Sequence, residues 1–474
     1  MKPLIHLLHS PHGYYLFETN RNEIVPIDEE LYRILYQMMN DTEDVEALWQ
    51  HPKVVHIMKM GYLSANRPKE IKHPMTAYLE SFLLNKMEGM TLQLTQNCNF
   101  RCSYCLYNEH NTGKQRRHAN NTMSLETAKK GIDFLHAHSR DSERISLGFY
   151  GGEPLLEFRM IEEIIDYAKM KFFGRKLHFH MTTNGSLLTD EVAEFCMKHN
   201  ISVLVSIDGP KEIHDKNRVF AETGDGTFDT IMGNLNEIKA KCPDFLEKLR
   251  INMVVDPRND FDCLNSMFVE FDVFSKDRVN SSYVDDAYFE EKLLYSDEFI
   301  AKDVYSEFVS YLNSLKRIDD DAVSPVSQKS VQRLRDEKNR MRSMEKLPEI
   351  GAPSGPCLPG ITRLLVDVHG KIFPCERCSE TAEVMNIGSL DEGFDIDKAL
   401  MLLNIAQRHQ DECKDCWAFL HCQICASQIE EDGQFSDEKR RKRCEQVKRD
   451  VHSKFLNMIM LDEVNTICGR TEGG

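Results

Sequence analysis

The residues best suited to chemistry are the cysteines, because most of them lie in two dense clusters. Eleven of the fifteen cysteines belong to these clusters. The first has the spacing C-x₃-C-x₂-C, with Cys98, Cys102 and Cys105 on one short segment. Three thiolates on a short loop can hold three corners of a cubane iron–sulfur cluster and leave the fourth iron open. A zinc site would need a fourth ligand, for which His110 is the nearest candidate.

The second cluster lies in a C-terminal segment that shows little regular structure. It contains eight cysteines: Cys357, Cys375, Cys378, Cys413, Cys416, Cys422, Cys425 and Cys444. Two iron–sulfur clusters or two zinc sites can be built from these sulfurs, and spacing alone does not separate the two metals. The remaining cysteines are scattered, and we interpret them as small buried side chains or inert thiols: Cys196, Cys242, Cys263 and Cys468.

Composition and charge exclude several classes of protein. The chain has 474 residues with 59 Lys and Arg against 76 Asp and Glu, a net charge of −17. A nucleic-acid binder usually carries a basic excess instead. The sequence has no uncharged apolar stretch of the roughly 18 residues that a membrane span needs, and no secretory signal. We therefore expect a cytoplasmic protein without a disulfide framework that binds neither nucleic acid nor membranes.

The elements before the first cluster form a small module over residues 1–88. Two apolar runs around a Ser-Pro-His-Gly turn predict a hairpin, and a third short strand follows at Glu23–Pro26. Three helices are predicted after it, at Glu29–Met39, Thr42–Trp49 and Lys53–Met60. Three strands followed by three short helices are typical of a winged-helix-like module.

From Thr91 the pattern alternates between strand and helix. Six such units predict a parallel sheet with helices outside it, in an α/β fold. We expect a partial (β/α)₆ TIM-like barrel over 89–285, whose chemistry lies at the carboxyl ends of the strands. Charged helices over 286–350 connect it to the Cys-rich domain, 351–474, which ends in a helix from about Asp437.

Further motifs follow the strands of this barrel. Gly151-Gly152-Glu153-Pro154 follows the second strand and Thr182-Thr183-Asn184-Gly185 follows the third. Ser206-Ile207-Asp208-Gly209-Pro210 follows the fourth, and Arg218 comes shortly after it. Glycines allow the backbone to approach a ligand closely, and arginine grips a carboxylate through two donors. Together with C-x₃-C-x₂-C, these motifs resemble those of the radical S-adenosylmethionine (SAM) family.

The resemblance implies one SAM-binding [4Fe-4S] cluster and a cofactor cradle. Cys98, Cys102 and Cys105 would hold the cluster as catalytic ligands. Ser206 and Arg218 would hold the carboxylate of SAM. The full set of implied cofactor-binding residues is Tyr104, Gly151, Gly152, Glu153, Pro154, Asn184, Ser206, Asp208 and Arg218. The chemistry implied is hydrogen abstraction from a substrate by a 5′-deoxyadenosyl radical.

The C-terminal cysteines resemble the SPASM extension of the same family, which carries two auxiliary [4Fe-4S] clusters. An outer cluster would be held by Cys413, Cys416, Cys422 and Cys444. An inner cluster would be held by Cys357, Cys375 and Cys425, with Cys378 as a fourth ligand or as a bystander. The pattern departs from the family in one place, since two residues rather than three separate Cys422 from Cys425.

The order of these regions resembles the ranthipeptide and SCIFF peptide maturases. That resemblance implies a precursor peptide whose leader adds as a strand to residues 1–88 and whose core contains Cys. The reaction implied is a thioether between that Cys and the β- or γ-carbon of an acceptor residue, with an acidic acceptor expected. A low-potential donor such as flavodoxin or ferredoxin would supply electrons. Alternatives are a carbon–carbon peptide cyclase, a formylglycine-forming sulfatase maturase and a non-catalytic iron–sulfur electron carrier.

Overall fold

A computed structural model describes residues 2–40, 45–107, 118–264, 273, 275–284, 289, 293–353 and 355–467. Among these residues no helix has both the length and the apolar character required to cross a membrane.

The N-terminal module is a small antiparallel sheet with helices packed on it. Its strands lie in the order β1-β2-β3: β1 Ile5–Ser10, β2 Gly13–Glu18 and β3 Glu23–Ile27. Its helices are α1 Glu29–Asn40, α2 Val45–Leu48 and α3 Pro52–Lys59. Asp28 begins α1 by accepting a hydrogen bond from the Leu31 amide at 3.0 Å. These elements lie where the sequence predicted them, and Leu16, Leu35 and Val54 form a core of their own.

Residues between this module and the barrel form a short connection. A two-residue strand pairs with a later one in the chain, and one helix follows: β4 Glu70–Ile71 and α4 Leu79–Asn85.

The barrel consists of six parallel strands with helices between them, which confirms the predicted fold class. The strands are β5 Gly89–Thr95, β6 Arg144–Gly151, β7 Lys176–Thr183, β8 Ile201–Ser206, β9 Arg250–Val255 and β10 Val279–Tyr283. The helices are α5 Leu125–His138, α6 Phe158–Lys171, α7 Asp190–Lys198, α8 Lys211–Asn217, α9 Phe228–Lys241 and α10 Pro243–Leu246. Ser124 begins α5 as predicted, since its hydroxyl accepts from the Thr127 amide at 3.0 Å. The helix expected between β9 and β10 falls largely on residues outside those described.

The two faces of the barrel strands differ in polarity. Leu92 and Leu94 of β5 are fully buried, and Leu92 packs against α5. Thr91 faces the other way and lies beside Gly148 and His180, so this face is polar. A polar interior is suited to a polar substrate and cofactor, whereas the apolar outer face carries the core.

The remaining elements bridge the barrel to the Cys-rich domain. The bridging helices are α11 Asp297–Ser314 and α12 Ser330–Arg340. The later strands are β11 Ile350–Gly351, β12 Leu364–Val366, β13 Ile372–Phe373, β14 Gly388–Ser389, β15 Gly393–Phe394, β16 Glu430–Glu431 and β17 Gln434–Phe435. The later helices are α13 Ile396–Leu403, α14 Gln410–Lys414, α15 Ala426–Ile429 and α16 Asp437–Ile467. The hairpin β12–β13 was expected, but its place was not: β12 pairs in parallel with β5 and extends the barrel sheet to eight strands.

The N-terminal module packs directly on the C-terminal domain. Leu8 and Phe17 are fully buried in the main core, and the Phe17 ring lies 4.5 Å from that of Phe455 in α16. The Tyr15 hydroxyl donates to Glu463 of the same helix at 2.6 Å. The domain boundary at residue 88 stays a prediction, and removing the module would expose part of the main core.

Candidate functional site

The first cysteine cluster lies on the loop that follows β5, at the carboxyl end of the barrel. Each of its sulfurs receives a polar hydrogen from the protein. The amides of Phe100 and Tyr107 donate to the sulfurs of Cys98 and Cys105 at 3.3 and 3.4 Å. The Arg218 guanidinium lies 3.8 Å from the sulfur of Cys102.

These three thiols fit an iron–sulfur cluster by their chemistry. Burial raises the pKa of Cys98 to about 12 and that of Cys102 further, and the neighbouring thiol of Cys105 contributes to both shifts. Such thiols stay protonated near neutral pH, so a metal must displace their protons. Polar hydrogens aimed at the sulfurs stabilise them once they become thiolates.

A site for a single metal ion is the alternative to an iron–sulfur cluster at these cysteines. Within the described ranges, no three His, Cys, Asp or Glu side chains are spaced to hold a single metal ion. His110, the alternative fourth zinc ligand, lies outside the described residues.

Two glycines join the second strand to the cluster loop. A Cβ atom on Gly151 would lie 2.2 Å from the Thr95 carbonyl oxygen, and one on Gly152 would lie 2.0 Å from that of Asn97. Gly151 also has a φ of +139°, a backbone conformation that residues with a side chain rarely adopt. The sequence motif suggested glycines that admit a ligand, and the structure adds a second reason: they admit the loop that bears Cys98.

Glu153 holds the next strand end in place. Its side chain is fully buried and accepts hydrogen bonds from the amides of Leu155 and Asn184 at 3.0 and 2.7 Å. It also accepts from the Thr183 hydroxyl at 2.7 Å. Burial raises its pKa to about 7 despite these donors. Within this structure Glu153 therefore connects the second and third strand ends, with Pro154 buried beside it.

Asn184 and Ser206 lie at the ends of the third and fourth strands. The Asn184 amide donates to Asn99 of the cluster loop at 2.8 Å and lies 3.8 Å from the sulfur of Cys98. Its oxygen accepts from Ser186. Ser206 is buried at the end of β8. Asn184 thus contacts the cluster loop directly, in line with a role at this centre.

Asp208, Arg218 and Tyr104 form a buried charged group behind Cys102. The Arg218 guanidinium donates to both carboxylate oxygens of Asp208, at 2.9 and 3.1 Å. The Tyr104 hydroxyl donates to the same carboxylate, and the Val254 amide does so at 3.1 Å. Burial raises the pKa of Tyr104 well above its usual value, so its proton stays in place. The aromatic residue of the motif and its arginine therefore meet at one acidic side chain.

The inner set of cysteines gathers beside the β12–β13 hairpin. The sulfurs of Cys375 and Cys378 lie 3.8 Å apart, and Cys378 is buried. The neighbouring thiols of Cys375 and Cys425 raise the pKa of both Cys378 and Cys357. These four cysteines are the ones that the resemblance assigns to the inner cluster.

The outer set gathers near the start of α16. Burial, together with the neighbouring thiols of Cys416, Cys422 and Cys444, raises the pKa of Cys413 to about 12. The basic run Lys439–Arg443 beside Cys444 allows two interpretations from sequence, an offset to cluster charge or a solvated helix face. Within it Arg440 is buried and lies 3.6 Å from the sulfur of Cys444, which favours the first interpretation.

The N-terminal module touches the loop between Cys416 and Cys422. The His6 ring stacks on Trp417 at 3.7 Å, and the Thr19 hydroxyl donates to the Trp417 carbonyl at 2.9 Å. Asn22 lies 2.9 Å from the ring of His421. These contacts link the module to the outer set and were not predicted from the sequence.

Comparisons with known proteins agree with this geometry. Residues 92–267 match the family model of the Radical SAM superfamily. The chain is 24% identical over 285 residues to the radical SAM cyclopropyl synthase TigE of Paramaledivibacter caminithermalis, covering 55% of this chain and 57% of that one. It is 34% identical over 143 residues to a serine-type anaerobic sulfatase-maturating enzyme of Bacteroides thetaiotaomicron, covering 30% and 34%. The chain thus spans less than two thirds of the length of these curated relatives.

Solved structures share the fold over most of the chain. anSMEcpe with bound AdoMet has a TM-score of 0.57 at 19% identity and covers 80% of this chain and 95% of its own. The same protein with bound AdoMet and the Kp18Cys peptide has a TM-score of 0.53 at 20% identity, covering 78% and 99%. At these identities the likeness establishes the fold.

Proposed function

We propose that this chain, which carries a radical SAM domain, installs thioether crosslinks in a ribosomally made precursor peptide. The observation that carries the proposal is the place of the β12–β13 hairpin. Because β12 pairs with β5, the strand that leads to Cys98, the hairpin brings Cys375 and Cys378 to the same sheet as the radical-generating loop. The hairpin returns towards the amino end of β5 whereas Cys98 follows its carboxyl end, so a peptide lying along the barrel interior would present a sulfur to one site and a carbon to the other.

The cofactor site is proposed at the carboxyl ends of the barrel strands. With the cluster and SAM bound, the site supplies a 5′-deoxyadenosyl radical that takes hydrogen from the substrate. Cys98, Cys102 and Cys105 would hold the iron. Glu153 and Asn184 would keep the strand ends in place around SAM. The interior of the barrel would exclude water from the radical.

Arg218 and Ser206 are proposed to hold the carboxylate of SAM, as the resemblance implies. The Arg218 side chain forms a pair with Asp208 in the present structure, so it is already oriented and desolvated. A guanidinium has five N–H donors, and a fork held by one carboxylate retains donors for another acceptor. Asp208 would then position Arg218 rather than contact SAM.

The N-terminal module is proposed to bind the leader of the precursor. β3 lies at the edge of its sheet, and Pro26 in it suits an edge position. A leader added as a fourth strand would gain backbone hydrogen bonds from that edge. A cytoplasmic location and a flavodoxin or ferredoxin as electron donor complete the proposal.

The reaction balances without an added oxidant. The peptide loses two hydrogens, one from the Cys thiol as a proton and one from the acceptor carbon as an atom taken by the deoxyadenosyl radical. The C–S bond forms as one electron leaves the peptide. That electron matches the one needed to cleave SAM, and an auxiliary cluster held by the C-terminal cysteines would offer it a route out.

Mass spectrometry of the product tests the function. The reduced, cluster-loaded protein is incubated with SAM and a short Cys-containing peptide encoded beside its gene, and the product is treated with an alkylating reagent. A thioether predicts loss of two hydrogens and a Cys that no longer reacts. Loss of two hydrogens with a reactive Cys would instead indicate a carbon–carbon cyclase.

The alternative functions give different products in the same experiment. Conversion of Cys to formylglycine removes sulfur from the peptide, and similarity to a cysteine-type anaerobic sulfatase-maturating enzyme suggests this alternative. An electron carrier would not cleave SAM at all. Stoichiometric zinc in protein purified without oxygen would contradict the iron–sulfur assignment.

A further inference from the structure

Gln93 is a buried amide on β5, a strand whose other buried side chains are mostly apolar. It lies between Leu92 and Leu94, and all three side chains are fully buried. Because neighbouring residues of a strand face opposite sides, Gln93 points into the barrel interior, whereas Leu92 packs on α5. Burying an amide is unfavourable unless its donors and acceptor are used, so its partners are informative.

The partners of Gln93 come from different parts of the chain. Its amide nitrogen donates to the Tyr107 hydroxyl at 2.8 Å and lies 2.8 Å from each carboxylate oxygen of Glu380. Its amide oxygen accepts from the Val368 backbone at 3.2 Å. One side chain therefore joins three segments that are distant in sequence.

Each of these segments leads to a proposed cluster ligand. The backbone amide of Tyr107 donates to the sulfur of Cys105. Glu380 follows Cys378 by two residues. Val368 lies just after β12, on the hairpin that leads to Cys375. Gln93 is thus placed between the radical-generating loop and the inner set of cysteines.

We propose that Gln93 is a positioning residue that fixes the distance and orientation between the radical site and the inner auxiliary site. The proposal rests on the function proposed above, in which a sulfur near one site meets a radical formed at the other. If the inner auxiliary site moved slightly away from the radical site, SAM would still be cleaved and the sulfur would still be bound. The two steps would no longer be coupled. The carbon radical would then fail to meet the sulfur before it is quenched.

The test measures how tightly the two steps are coupled in Gln93→Leu, which removes the amide at similar volume. The readout is the amount of 5′-deoxyadenosine formed per peptide modified. We expect this ratio to rise about tenfold to a hundredfold, since displacements near 1 Å can cost that much, while SAM cleavage stays within about twofold of wild type. A purely structural loss lowers both amounts together and leaves the ratio unchanged.

Gln332→Leu is the matched control, because it makes the same substitution at an exposed glutamine of α12 whose amide also donates to a carboxylate, that of Asp336 at 2.7 Å. Its ratio should equal that of the wild type. If Gln93→Leu does not fold, the shorter amide in Gln93→Asn keeps the polarity and withdraws the contact. An unchanged ratio in a folded Gln93 variant would overturn the proposal.

A second measurement uses the metal-free protein. The unfolding midpoints of Gln93→Leu, Glu380→Leu and the double variant form a double-mutant cycle. We expect the decreases in midpoint of the two single variants to add up to more than the decrease of the double variant. Additive shifts would overturn the proposal. Because the ratio is defined for any modified peptide, a product other than a thioether would refute the proposed function without deciding the role of Gln93.

Discussion

At the scale of single residues, the candidate site depends on buried side chains that form hydrogen bonds with other parts of the protein. Glu153 is the clearest case, because it accepts from three donors on two strand ends. Its motif was recognisable from the sequence, but its partners were not. They depend on strands that are far apart in sequence and meet only when the sheet forms.

Glu153→Gln is expected to destabilise the protein by about 1–3 kcal/mol. Glutamine places an NH₂ group where one of the backbone amides now donates, so two donors face each other. The unfolding midpoint in denaturant measures the effect. Glu163→Gln on the exposed face of α6 is the control and should be neutral. Equal midpoints for both variants would contradict the role given to Glu153.

The buried thiols predict a pH dependence for the metal-free protein. The pKa of Cys98 is about 12 in the folded chain and about 9 when unfolded. Between these values the folded state holds more protons, so the free energy of unfolding falls as pH rises, by about 1.4 kcal/mol per unit and thiol.

Thermal unfolding between about pH 8.5 and 10.5, where the unfolded thiol loses its proton, measures this decline. A variant with Cys98→Ala and Cys102→Ala should decline less steeply, and so should the cluster-loaded protein, in which the protons are already displaced. Identical slopes for the metal-free wild type and the double variant would argue against buried neutral thiols.

Cys378 decides the ligand set of the proposed inner auxiliary cluster. Its sulfur lies 3.8 Å from that of Cys375 and is buried, which favours ligation. We therefore expect Cys378→Ala to lower the iron content or change the spectrum of the inner cluster. Cys196→Ala, also a buried thiol, is the control. Unchanged iron in Cys378→Ala, together with a spectral change on adding a thiol peptide, would instead indicate an open iron that binds substrate.

At the scale of elements, local pattern predicted most strands and helices. Alternating apolar runs and caps such as Asp28 and Ser124 are local features, so the N-terminal elements and the barrel units lie close to where they were expected. The pairing of β12 with β5 was missed because it joins residues that are some 270 apart. The role of Gln93 was missed because its partners Val368 and Glu380 are also distant in the sequence, although a Gln between apolar residues of a strand was a usable signal. Arg440 is different, because it lies four residues from Cys444 on one helix and belongs to a basic run that the sequence already marked.

The turn between β2 and β3 connects the proposed leader site to the outer cysteines. Thr19→Val keeps the shape of this buried residue and removes its hydrogen bond to the Trp417 carbonyl. We expect the outer cluster to lose iron several-fold faster to a chelator, because Trp417 adjoins Cys416, while SAM cleavage persists. His56→Ala on the exposed face of α3 is the control. Equal iron loss in both variants would contradict the link.

At the scale of the whole molecule, the fold places the proposed peptide-binding edge, the proposed radical site and a cysteine-rich site on one continuous structure. The N-terminal module shares the main core through Leu8 and Phe17. Its role is therefore better examined by substitutions than by deletion. The central claim is that a radical formed at the barrel joins a peptide carbon to a peptide sulfur.

The most direct test uses a precursor peptide that carries deuterium on the acceptor carbon. After incubation with the reduced, cluster-loaded protein and SAM, the 5′-deoxyadenosine and the peptide are analysed from the same sample. We predict deuterium in the 5′-deoxyadenosine and, in equal amount, peptide whose Cys resists alkylation. Two results would contradict the account. One is a peptide that has lost deuterium but whose Cys still reacts with the alkylating reagent, and the other is a thioether formed without deuterium in the 5′-deoxyadenosine.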